Sequence, residues 1–125
     1  MGIRHCLTFV AATATIAAAQ LIDVGRATAG GAIALGKCDR IGWSYSPNLD
    51  TARYRALWEC SRTGDTTCRI VTTTVDACAA VAISGECGAR GWGTAGARGR
   101  AEQIALAECR RFGGTDCSVR RWVCS

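Results

Sequence analysis

The sequence predicts an α+β fold of two similar strand–strand–helix–strand units, related by a pseudo-twofold axis and stapled by disulfides, with about six strands and two helices. Three observations predict it. The chain repeats itself at an offset of 49 residues. Each copy holds two short apolar runs around a glycine-containing turn, one stretch of helical periodicity and one run rich in Val, Ile and Thr. Eight cysteines, an even number, follow the first 29 residues.

The repeat is read without a gap. Gly36, Cys38, Gly42, Trp43, Ala52, Ala56, Leu57, Glu59, Cys60, Arg62, Gly64, Thr66 and Cys68 meet the identical residues Gly85, Cys87, Gly91, Trp92, Ala101, Ala105, Leu106, Glu108, Cys109, Arg111, Gly113, Thr115 and Cys117. Two copies are too few for a solenoid, which needs at least three, so they are expected to close on each other as a pair.

The elements follow in order. Met1–His5 is a short basic start, Cys6–Ile22 is almost wholly small or apolar and without charge, and Ala27-Thr28-Ala29 supplies the small–any–small pattern of a signal-peptidase site. The apolar run is short for a membrane span, which needs about 20 residues. Residues 1–29 therefore read as a cleaved signal segment and 30–125 as one exported domain of two repeats, about 30–77 and 78–125. No membrane span remains after cleavage. Of the 15 basic and 10 acidic residues, the segment removes Arg4, Arg26 and Asp23, leaving 13 and 9, a net +4. His5, the single histidine, and Cys6 leave with it.

In the first copy, Gly31–Leu35 and Ile41–Tyr45 read as a hairpin. Leu49–Arg62 reads as a helix, with Asn48 or Asp50 able to accept from its free amides and Ala52, Ala56, Leu57 and Cys60 on one side. Gly64 follows where helices stop. Cys68–Val75 closes the copy as a strand. The second copy repeats this with Ala79–Ser84, Ala89–Thr94, a helix carrying Ala101, Ala105, Leu106 and Cys109, then Gly113-Gly114 and Cys117–Cys124.

The stretches GAIAL, GWSY, RAEQIALAEC, GGTDC and the closing Trp122-Val123-Cys124 resemble the bacterial domain of unknown function 4189 family over about residues 30–125. The resemblance implies a small exported bacterial protein and brings no agreed activity, cofactor or catalytic residue. In one respect the first copy departs from it. Glu102 stands four residues before Leu106 as the family pattern has it, but Arg53 occupies the matching place before Leu57.

Export to an oxidising compartment makes disulfides the expected state of the eight cysteines. Thiol oxidoreductases use Cys-x-x-Cys, and the closest spacing here leaves six residues between cysteines. Four-cysteine zinc sites need paired close spacings, so no metal or other cofactor is expected. Cys60–Cys68 and its symmetry mate Cys109–Cys117 are local bridges from a helix end to the next strand. Cys38 and Cys87, equivalent turn positions, are expected to meet across the pseudo-twofold axis. Cys78 and Cys124 remain as the fourth pair.

Catalytic constellations are sparse. Without histidine the Ser-His-Asp and Cys-His machineries are excluded, and Gly91-Trp92-Gly93 lacks the further glycine of a nucleotide loop. A carboxylate pair drawn from Glu59, Glu102 and Glu108 is the alternative that keeps a small envelope hydrolase open. The plainer expectation is that Glu59 and Glu108 are solvated and that Glu102 is a structural polar group bonded to nearby backbone. Trp43 and Trp92 are expected in the core rather than as a stacking platform. The first reading is therefore a non-enzymatic binding module for a protein or an anionic envelope component, of an inhibitor or effector kind, with no specific nucleic-acid motif. Its candidate contacts are Arg110, Arg111, Arg120 and Arg121, expected to form one basic edge.

Overall fold

The computed structural model describes residues 28–125. The expectations on the signal segment, His5 and Cys6 fall on residues 1–27, outside the described residues. The element order is β1 (Gly30–Leu35), β2 (Ile41–Ser46), α1 (Leu49–Ser61), β3 (Arg69–Thr74), β4 (Cys78–Ser84), β5 (Arg90–Ala95), α2 (Arg98–Arg111) and β6 (Cys117–Cys124). Each repeat is strand–strand–helix–strand, and the fold is α+β.

Each repeat forms its own antiparallel three-stranded sheet with its first strand in the middle, in the orders β2-β1-β3 and β5-β4-β6. Cys78–Cys124 ties the C-terminal strand to the middle of the second sheet, joining directly paired residues of β4, its central strand, and β6. The two sheets face each other, β2 over β6 and β3 over β5, while α1 and α2 cover the outer faces. The result is four layers, helix–sheet–sheet–helix.

A residue's layer follows from strand alternation. Ile33 and Leu35 of β1, Val81 and Ile83 of β4, and Val123 of β6 fill the space between the sheets. Each is almost wholly buried, which stabilises by about 1.5–3 kcal/mol apiece. The intervening alanines, Ala32 and Ala34 in β1 and Ala80 and Ala82 in β4, face the helices. The helices answer with Ala52, Ala56 and Cys60 on α1 and Ala101, Ala105 and Cys109 on α2.

These small residues let each helix lie very close to its sheet. A Cβ on Gly42 would run into the Ala56 carbonyl, and one on Gly91 into the Ala105 carbonyl and the Cys109 amide. The repeat preserves the residues that set this distance. The helix ends match as well: Gly64 and Gly113 follow α1 and α2 at φ +91° and +94°, a conformation glycine enters without a Cβ penalty. The starts differ. The Asn48 side chain caps α1 by accepting from the Asp50 and Thr51 amides at 2.9 and 3.2 Å, whereas Ala97 at the head of α2 offers no side-chain cap.

Four disulfides join Cys38–Cys87, Cys60–Cys68, Cys78–Cys124 and Cys109–Cys117, the pairs that the duplication puts together. Cys38–Cys87 links equivalent turns of the two repeats, as a pseudo-twofold axis passing near them allows. One detail departs from the ungapped repeat. Ile33 pairs with Trp43 and Val81 with Trp92, so the first strands superpose at an offset of 48 while the rest superpose at 49. The β4–β5 turn is one residue longer and absorbs the slip.

Candidate functional site

The pseudo-twofold axis relates two seams where the sheets meet at their edges, one between β3 and β5 and the other between β2 and β6. At the first, Thr72 and Thr94 share a hydrogen bond of 2.9 Å between their hydroxyls, and Trp92 tucks beside them against the inter-sheet core. The Arg69 guanidinium lies over the Trp92 ring, 5.8 Å from its centroid. At the second seam the equivalents of Thr72 and Thr94 are Arg121 and Tyr45. These side chains are too large to close the edge in the same way. Trp43, the mate of Trp92, is 47% exposed there, and Tyr45 is 49% exposed. Trp43 is thus not the core residue the sequence suggests, because its seam lacks the threonine closure.

The other flank of β2 breaks the symmetry too. In the second repeat Ile104 of α2 presses onto β5, so near that a Cβ on Gly93 would lie 2.5 Å from the Ile104 Cβ. In the first repeat Arg55 takes the place of Ile104, Ser44 that of Gly93 and Trp58 that of Ala107. The consequence is a groove of about 660 Å³ along β2, lined by Ile41, Trp43 and Ser44 of the strand, Arg55, Trp58 and Glu59 of α1, and Arg121 of β6. A second hollow of about 310 Å³ continues from Trp43 and Tyr45 along Arg120, Arg121 and Trp122.

The groove carries net positive charge. Glu59 is held by Arg62 at 3.2 Å, and Arg62 also stacks over Trp58, 5.3 Å from its ring centroid. Among the described residues Arg55 and Arg121 have no carboxylate partner. Arg121 donates to the Arg120 carbonyl at 2.7 Å, which directs it along the strand. Aromatic faces beside free guanidinium groups are the combination that dominates protein contact surfaces.

The remaining candidates are dispersed. Glu102 does not bond nearby backbone; it accepts from the Arg98 guanidinium at 2.5 Å, and Arg98 lies 3.9 Å from the Trp122 ring centroid. An arginine one helical turn earlier reaches the carboxylate more easily than any amide of the closed helix can. Glu108 pairs with Arg111 at 3.6 Å. Glu59 lines the groove, while neither Glu102 nor Glu108 does. The expected single basic edge is divided. Arg110 and Arg111 sit exposed at the end of α2, whereas Arg120 and Arg121 flank the β2/β6 seam. Arg120 is committed to structure, donating to the Gly85 carbonyl at 2.7 Å and to the Ser118 hydroxyl at 3.0 Å. Trp58 and Arg55 line the groove and Tyr45 the adjoining hollow, and none of the three is among the contacts preferred from the sequence.

Away from the groove, Asp65 ties the loop after α1 to the β1–β2 turn. It accepts from the Thr67 hydroxyl and amide and from the Lys37 amide, and these bonds, the Thr67 hydroxyl foremost, hold its pKa down at about 2. Among the described residues no cluster of His, Cys, Asp and Glu could hold a metal ion, and no helix is long and apolar enough to cross a membrane.

A family model described as "Domain of unknown function (DUF4189)" matches residues 31–124. No curated protein and no solved structure matches the chain.

Proposed function

The chain belongs to the domain of unknown function 4189 family, and from that premise we propose that it is an exported, non-enzymatic binding module that engages a protein partner through the groove along β2. The observation that carries this reading is the local loss of symmetry. Two repeats that keep the same packing residues differ at both flanks of one edge strand, where the first repeat carries Tyr45, Arg55 and Trp58 against Thr94, Ile104 and Ala107. Packing alone is served by the second repeat's residues. Exposed tryptophan and arginine at the first are the side chains that anchor protein interfaces.

Export is supported by the signal-like residues 1–29 and by β1 beginning at Gly30, directly after Ala27-Thr28-Ala29. Four disulfides in so small a domain also suit an oxidising compartment. A carboxylate-dependent hydrolase would have to work with Glu59, which among the described residues stands in the groove without a second carboxylate in its lining. Of the C-terminal arginines we assign the contact to Arg121, joined by Arg55 from α1.

The test places photoreactive benzoylphenylalanine at Trp58 or at its repeat mate Ala107 in the secreted protein. Crosslinks to a partner from position 58 and none from position 107 are expected. Equal capture from both, or capture from 107 alone, contradicts the reading. Glu59→Gln should not abolish capture; its abolishing a measured turnover in folded protein would establish the hydrolase instead.

A further inference from the structure

Every outer strand of two stacked open sheets presents unpaired backbone groups, a template for pairing with another chain that proteins normally blunt with charge or bulges. Three of the four edges here are blunted. β3 carries Arg69, β6 carries Arg120 and Arg121, and each has a register shift against its central strand. β5 begins at Arg90, which is drawn inward to the Gly36 carbonyl. β2 alone, Ile41-Gly-Trp-Ser-Tyr-Ser46, has no charge, no proline and an unbroken register against β1. Its only strand neighbour is β1 among the described residues.

The hairpin fixes which groups are free. Gly36 donates its amide to the Arg40 carbonyl, so by antiparallel alternation Gly42, Ser44 and Ser46 bond to β1 while the amides and carbonyls of Ile41, Trp43 and Tyr45 point outward. The groove runs along this edge, lined by Ile41, Trp43 and Ser44 of the strand. Either side of that line stands one aromatic ring and one unpaired guanidinium: Trp58 and Arg55 on the α1 flank, Trp43 and Arg121 on the seam flank.

We infer that the groove takes an extended acidic peptide segment, added as a strand to the free edge of β2. This rests on the binding-module reading and specifies its partner. An added strand lies about 4.8 Å from β2 and turns alternate side chains to opposite flanks. Main-chain bonds to Ile41, Trp43 and Tyr45 supply affinity, and each flank selects one apolar and one acidic side chain. Arg55 and Arg121 supply the charge complementarity that commits the site to a carboxylate-bearing segment.

The test uses a fluorescein-labelled octapeptide, (Val-Val-Glu-Glu)₂, which presents both side-chain types to both flanks in either register. Saturable binding by anisotropy is expected. Backbone amides of Ile41, Trp43 and Tyr45 should gain at least tenfold protection from hydrogen exchange while those of β5 stay unchanged. Replacing the peptide's central amides by esters, which removes donors and keeps side chains, should weaken binding at least tenfold, as should Arg55→Ile with Arg121→Thr in the protein. Ester and amide peptides binding within twofold of each other would overturn strand addition. Failure of the peptide with binding of tetragalacturonate, an anionic glycan, would overturn the peptide assignment; pairing of β2 with a second copy, seen as a dimer by sedimentation that excludes the peptide, would do the same. Either outcome leaves position-58 crosslinking intact, whereas loss of that crosslinking is what defeats the binding-module reading itself.

Discussion

Gly42→Ala should be among the most damaging single-methyl additions in the domain. An added Cβ would meet backbone, the Ala56 carbonyl and, at 2.5 Å, the Cys60 amide nitrogen, not the movable end of a side chain. Restoring that second contact alone to the 3.4 Å of ordinary packing requires α1 to lift from its sheet by about 1 Å, and the nearer Ala56 carbonyl requires more. A gap of 0.5–1 Å forfeits roughly a quarter to a half of each dispersion contact across it, here over Ala52, Ala56 and Cys60. Overpacking of this kind costs about 1–3 kcal/mol, and the unyielding backbone places Gly42→Ala near the upper end. At roughly 4–8 °C per kcal/mol for a domain this size, the melting temperature should fall by about 10–20 °C. Gly91→Ala should match it, because the second repeat reproduces the contact. Gly99→Ala is the control: it lies in α2 with nothing within 4 Å of a new Cβ and should stabilise by about 0.4–1 kcal/mol through the unfolded chain. The assay is urea and thermal unfolding followed by circular dichroism with disulfides intact. A neutral Gly42→Ala, or a Gly99→Ala as harmful, would refute the close-packing argument.

The other stability predictions concern cross-links, a cap and one carboxylate. Replacing Cys60 and Cys68 by serine should cost about 2.5 kcal/mol, the chain-entropy value for so short a loop, and replacing Cys109 and Cys117 the same by calorimetry. The Cys38–Cys87 pair, 49 residues apart, should cost about 4 kcal/mol. Asn48→Ala should remove about 1 kcal/mol from urea-unfolding stability, since two amides lose their acceptor. Asp65 is held at about pKa 2 against an ordinary 3.8. Its contribution is therefore full above pH 3.8 and disappears as pH falls through about 2. Asp65→Asn should flatten the stability–pH curve in that window and leave the curve above pH 5 parallel to the parent's.

Much of the fold is legible in the chain because its elements are punctuated chemically. Glycine at 36, 64, 85 and 113 marks turns and helix ends, and alanines three and four apart mark the helix faces. Pairing of equivalent cysteines follows from the duplication. The division into two sheets is not legible, since a strand's hydrophobic pattern does not say which sheet it joins. The one-residue slip of β1 against β4 is also hidden. In Gly-Ala-Ile-Ala-Leu and Ala-Ala-Val-Ala-Ile the faces differ only by the larger residues, and a shift of one turns every side chain over. The groove was missed for a different reason. Identities between the repeats mark what both must keep for packing, so they point to Gly42 and Ala56. The site lies where the copies disagree: Tyr45 against Thr94, Arg55 against Ile104, Trp58 against Ala107, Arg121 against Thr72. That signal was present in the sequence, but only the structure shows that the four differences converge on one strand.

The most direct test of the groove assignment writes the second repeat's residues into the first. In Arg55→Ile with Trp58→Ala, α1 receives the side chains that α2 already carries on the same frame, so folding should be retained. Its affinity for the component captured through position 58, measured by titration calorimetry, should fall at least tenfold, about 1.4 kcal/mol. Arg110→Ser with Arg111→Ser, at the far end of α2, should bind within twofold of the parent. Undiminished binding by the groove variant, or loss confined to the Arg110 and Arg111 variant, would contradict the account.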